Sequence, residues 1–90
     1  MLLETPYEMA VAAAGRFRKV RAAKKVSMKA LSERSGVPYA TIRRFESTGE
    51  ISFLSLIKIV SALGEDSEIT RLFTDTVPQS IEEVIRGNRR

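Results

Sequence analysis

The sequence predicts an all-α domain of five helices followed by a short sixth. Three observations predict it. No stretch alternates apolar and polar residues with the period of a strand. Apolar residues instead recur three and four apart in several blocks, the spacing of one helix face. Most blocks are preceded by a Ser or Thr that can cap a helix, and they are separated by Gly or Pro.

The first helix should begin at Thr5-Pro6-Tyr7-Glu8. Thr5 can cap, Pro6 suits the first helical position, and Glu8 completes a capping box. Ala10, Ala14, Phe17 and Arg21 then form a stripe, with Ala13 and Val20 beside it, so the helix should run from Pro6 to Ala23 or Lys24. Ser27 caps a short second helix anchored by Leu31 and ending near Ser35. Gly36 suits the left-handed end of that helix, and Pro38 pushes Val37 out of the helical region, so the break is enforced twice.

The third helix should run from Pro38 or Tyr39 to about Ser47, with Ile42 and Phe45 inward. Residues 47–50 form a loop. Ser52 caps a fourth helix whose Leu54, Leu56, Ile57, Ile59, Val60 and Leu63 make a broad apolar face ending at Gly64. A fifth helix is expected between Glu65 and Asp75, packing Ile69, Leu72 and Phe73 inward. After Pro78, the capping box from Ser80 to Glu83 opens a terminal helix carrying Ile81, Val84 and Ile85, and Gly87 to Arg90 is a basic tail. The expected organisation is a main domain over 1–75 and a short C-terminal helix and tail over 76–90.

Composition narrows the function. Ninety residues suit one domain, which buries roughly 60–65% of its unfolded surface. The chain has no Cys and no His. Disulfides, thiolate metal sites, His-ligated zinc and a catalytic triad are therefore excluded, and a cytoplasmic setting is expected. No apolar run is long enough to span a membrane, and Glu4 and Glu8 interrupt the N-terminal segment, so neither an anchor nor a signal peptide is expected. Glu65, Asp66 and Glu68 read as a dipole-favoured helix start rather than a metal site. Glu82 and Glu83 read as cap and surface. No constellation for acid–base or nucleophilic catalysis is visible, so the expectation is a protein that is not an enzyme and carries no cofactor.

Charge points to a partner. Residues 16–44 hold ten Lys/Arg against one acid, Glu33, a net +9, while the rest of the chain carries −5. Such asymmetry fits a footprint for a polyanion; solvated helix faces are the alternative reading of charge alone. The second and third helices resolve the matter further. Two short helices joined by a Gly-containing turn cross steeply as a helix-turn-helix, the second entering the major groove. Tyr39, Ala40, Arg43 and Arg44 share the edge of the third helix opposite Ile42 and Phe45. Arginine can pair with guanine O6 and N7, and an alanine or an aromatic ring can touch a thymine methyl.

Residues 12–64 resemble the phage-repressor (Cro-like, XRE) helix-turn-helix family. The resemblance is carried by Leu31, Gly36-Val37, Thr41-Ile42, Phe45-Glu46, Gly49 and Leu56 through Ala62-Leu63-Gly64. It implies a transcription regulator, a repressor that binds a palindromic operator in double-stranded DNA as a homodimer. Tyr39, Ala40 and Arg44 sit where the family commonly reads bases, and Thr41 and Arg43 flank that surface as contacts to phosphate or bases. Surface packing is the other role for Tyr39. For either arginine alone phosphate is the commoner partner, with Arg44 the better placed to read a base. Lys24, Lys25 and Lys29 lie near the first turn, where they can neutralise phosphates or stay solvated.

Arg21 and Glu46 sit where many members hold an ion pair that fixes the third helix and orients the arginine towards phosphate. If half-exposed, such a pair contributes only ~0–1 kcal/mol. Two positions depart from the pattern. Met28 stands where the family often has a phosphate-binding Gln, leaving the helix-end N–H groups for that task. Pro38 replaces the usual Ser/Thr cap, though its fixed φ suits a first helical position.

The expected dimer patch is Ile69, Leu72 and Phe73, then Val77, Ile81, Val84 and Ile85, with Leu2 and Leu3 as a further contribution; capping of the monomer core is the other role for these residues. The short tail also resembles antitoxin-type members, which adds a toxin protein as a candidate partner. An interaction module that has lost DNA binding is the remaining alternative; Met28 and Pro38 favour it, and the basic block argues against it.

Overall fold

The structure, a computed structural model, describes residues 4–76. The expected terminal helix with Val77, Ile81, Val84 and Ile85, the basic tail, and Leu2 and Leu3 lie outside the described residues.

The described chain is all-helical. Helix α1 spans Pro6–Ala23, α2 Met28–Ser35, α3 Tyr39–Thr48, α4 Phe53–Ala62 and α5 Asp66–Thr70, with a 3-10 turn at Thr74–Thr76. Local chemistry sets most of these bounds. Thr5 Oγ1 accepts from the Glu8 N–H at 3.0 Å and the Thr5 N–H donates to Glu8 Oε1 at 2.9 Å, closing the capping box. Ser27 Oγ accepts from the Ala30 N–H at 3.0 Å, and Ser52 Oγ from the Ser55 N–H at 3.1 Å, so each hydroxyl satisfies a donor that the first helical turn leaves unpaired. Gly36 closes α2 at φ +78° and donates its N–H to the Ser32 carbonyl. Pro38 is the N-cap of α3, not its first helical residue. Its ψ of 143° is extended, and its carbonyl accepts from the Thr41 and Ile42 N–H groups.

Helix α1 packs on α3, α2 on α3 and α4, and α4 on α5. The core between them holds Ala14, Val26, Leu31, Val37, Ile42, Phe45, Ile59, Val60 and Leu63, all buried. Phe17 of α1 meets Phe45 of α3 edge to face, centroids 5.4 Å apart. Helix α3 is thus held from behind by its Ile42 and Phe45, and the turn is pinned by buried Val37. Around that turn Ser32 Oγ donates to the Val37 carbonyl at 2.7 Å, and the Val37 N–H donates to Ser35 Oγ at 3.1 Å.

Two expectations about packing are corrected. Leu54 is 62% exposed. Five residues before Ile59, it lies about 140° round the helix from that buried side chain. The fifth helix is also shorter than expected. It ends at Thr70, Phe73 turns into the left-handed region at φ +67°, and the 3-10 turn follows. Thr70, Thr74 and Thr76 each donate a hydroxyl to a carbonyl three residues back, a local bond that competes with a continuing helix. Ile69 stays half-buried, but Leu72 is exposed and Phe73 is 72% exposed. On α1, Ala13 and Val20 face outward. They line an apolar groove of about 720 Å³ between α1, α4 and α5, with Phe17, Phe53, Leu56 and Leu72.

Candidate nucleic-acid interface

The outer face of α3 is built by the burial of its inner face. With Ile42 and Phe45 committed to the core, Tyr39, Ala40, Arg43 and Arg44 are all exposed, and Thr41 is half-buried at the edge. The residues expected to read bases therefore share one accessible face, on a helix whose position the core dictates.

Beneath that face lies the contact that fixes α3 to α1. Arg21 Nε donates to Glu46 Oε2 at 2.6 Å and Arg21 Nη2 to Glu46 Oε1 at 2.8 Å, a bidentate pair. Arg21 Nη1 donates to the Val26 carbonyl at 2.9 Å, so the same side chain ties down the turn after α1. The pair is not half-exposed: its side chains are only 12% and 7% accessible. The hydrogen bond to Glu46 raises the Arg21 pKa above its usual value, against burial, which lowers it; the charge of Glu46 raises it further. Each nitrogen of the guanidinium donates to a protein oxygen. Arg21 thus frames the interface through Glu46 and the Val26 carbonyl.

The other basic residues divide by surroundings. Lys25 and Lys29 are exposed, and Lys25 occupies the left-handed region at φ +58° where the chain turns from α1 towards α2. Lys24 pairs with Glu65 at 3.1 Å, across to the corner between α4 and α5. Met28 begins α2 half-buried, packed against the core. Asp66 accepts from Ser61 Oγ at 2.9 Å, so two of the three carboxylates at the start of α5 have local partners.

Sequence reasoning missed one residue beside the interface. Glu50, in the loop after α3, pairs with Arg44. The six-residue separation matches neither helical spacing nor a capping pattern, so nothing local signals it.

Taken together, a Gly-terminated α2, a tight turn and an α3 with a buried inner face and a basic outer face define a helix-turn-helix domain of the DNA-binding kind. The model of the helix-turn-helix family matches residues 17–69, more than half of the chain. The chain belongs to that family, of the phage-repressor (Cro-like, XRE) type, and is a DNA-binding transcription regulator of that type. The family is one of DNA-binding regulators and typically not of enzymes. No curated protein and no solved structure matches the chain significantly. No helix among the described residues is long and apolar enough to cross a membrane.

Proposed function

We propose that the protein is a sequence-specific repressor that occupies a palindromic operator as a homodimer, with α3 in the major groove. One observation carries the reading: Tyr39, Ala40, Arg43 and Arg44 project together from a helix whose opposite face is locked into the core. Tyr39, Ala40 and Arg44 contact base edges, Arg43 and Thr41 flank them, and Lys25 and Lys29 neutralise phosphates. Lys24 contributes less, because Glu65 already balances it. At Met28 the helix N–H groups take the phosphate contact, and Arg21 serves as framework through Glu46. Phosphate contacts supply most of the affinity and α3 the discrimination.

Dimerisation is supported by Leu72 and Phe73, adjacent and exposed where the chain leaves α5, a position that suits a self-complementary apolar patch. The test is selection from a random duplex library, followed by titration of recovered sites at several salt concentrations. A two-fold symmetric motif with half-sites about ten base pairs apart and a steep salt slope is expected. Failure to enrich any motif would overturn the reading. A monomer with an enriched single half-site would transfer the apolar surface to the second reading, an antitoxin that also binds a toxin protein.

A further inference from the structure

We infer that Glu50 is a specificity-determining residue: it holds the Arg44 guanidinium for a base edge and withholds it from phosphate. The inference rests on the operator-binding reading above and concerns how the same face discriminates.

Arg44 Nη2 donates to Glu50 Oε1, with both side chains largely exposed, 66% and 56%. An exposed pair of this kind contributes little to folding. The backbone that carries Glu50, however, is fixed from two sides. Thr48 Oγ1 donates to the Arg44 carbonyl at 2.7 Å and accepts from the Glu50 N–H at 3.2 Å, so one hydroxyl joins the two residues of the pair. Gly49, between them, sits at φ +81° against α1, where an added Cβ would lie 2.7 Å from the Ala10 carbonyl carbon. Glu50 therefore stands on a loop pressed against the longest helix. Arg44 and Glu50 also share a shallow cleft of about 350 Å³ with Ala40, Thr41, Ser52 and Ser55, so the pair adjoins the surface that faces the duplex.

Three consequences follow from the chemistry. A guanidinium has five N–H donors in a rigid fork, and a bond to Glu50 leaves enough of them for the bidentate contact to guanine O6 and N7. Restricting an otherwise mobile side chain before binding reduces the ordering that binding must impose. The pair is also electrically neutral. A neutral unit gains little from a phosphate and releases no counterion there, and the carboxylate repels the phosphate directly, whereas the guanine edge carries no net charge. Arg44 is thereby converted from a general anion binder into a base reader.

The test uses the full chain in four forms: unaltered, Glu50→Gln, Arg44→Ala, and both together. Each is subjected to duplex selection and to titration against operator and unrelated duplex over a range of salt. Glu50→Gln should leave the melting temperature unchanged. It should bind unrelated duplex more tightly, with a salt slope steeper by ~1, and lose about tenfold in discrimination at one base position. Once Arg44 is alanine, Glu50→Gln should alter that position no further. A Glu50→Gln protein that binds all duplexes more tightly with discrimination intact would overturn the inference, leaving only a charge effect. So would uniform weakening. Those failures leave the operator-binding reading standing, because the unaltered chain would still enrich a motif; if it enriched none, both would fall.

Discussion

Replacing Glu46 by alanine leaves the Arg21 guanidinium with one of its protein partners, the Val26 carbonyl. The two charges that made the pair are 12% and 7% accessible, so the stranded cation has little access to water. Breaking a buried pair from one side costs ~3–5 kcal/mol, and the lower end applies here because Arg21 keeps one hydrogen bond and an edge near solvent. A domain of this size has about 5–13 kcal/mol in total, so the loss is a large share. It corresponds to a fall in melting temperature of about 10–25 °C. Thermal and urea denaturation followed by far-ultraviolet circular dichroism measure it. The double change Arg21→Met with Glu46→Leu removes both charges and should restore most of the loss, since it leaves no uncompensated charge. A Glu46→Ala protein destabilised by less than ~1 kcal/mol, the range of an exposed pair, would refute the argument that this contact is buried and fixes α3.

Other substitutions test the turns, the reading face and the assembly. Gly36→Ala should cost ~1–2 kcal/mol for the left-handed backbone alone, because nothing lies within 4 Å of the added carbon. Gly49→Ala adds a clash with the Ala10 backbone and should cost more than Gly36→Ala in the same denaturation assay; equal costs would show that the loop moves freely away from α1. Arg44→Ala should lose ~1–3 kcal/mol of discrimination at one or two base positions, whereas Lys25→Ala should weaken all duplexes alike and reduce the salt slope by ~1. Identical behaviour of these two proteins would remove the division between reading and positioning residues. Phe73→Ser should raise the monomer fraction in sedimentation while leaving the far-ultraviolet circular dichroism of the single chain unchanged, since the ring is exposed there.

The helices and their starts were legible because the interactions that set them are local. The Thr5–Glu8 box, the Ser27 and Ser52 caps and the left-handed Gly36 each join residues no more than four apart, and their side-chain chemistry is visible in the sequence. The inward turn of Leu31, Ile42 and Phe45 followed from helical spacing alone. The exposed face of α3 came with it, because a helix that buries one side presents the other. The family resemblance then supplied the Arg21–Glu46 pairing, which no local pattern implies.

Other features depended on what each side chain met after the helices packed. Periodicity marks Leu54, Leu72 and Phe73 as apolar but does not say how far a neighbouring helix covers them, and all three remain exposed. The helical pattern ran on past Thr70, while backbone geometry at Phe73 and the threonine hydroxyls ended it. Burial of the Arg21–Glu46 pair required α1 and α3 to close over residues 25 apart in sequence. Lys24 is paired with Glu65, and Arg44 with Glu50, through approaches that only the folded chain makes. Capping and spacing act within a turn or two, so α1 to α4, their starts and the basic face of α3 are written in the residues themselves. Which of those charges carry an acid partner follows instead from the packing, because Glu46, Glu50 and Glu65 reach Arg21, Arg44 and Lys24 only once the helices have docked.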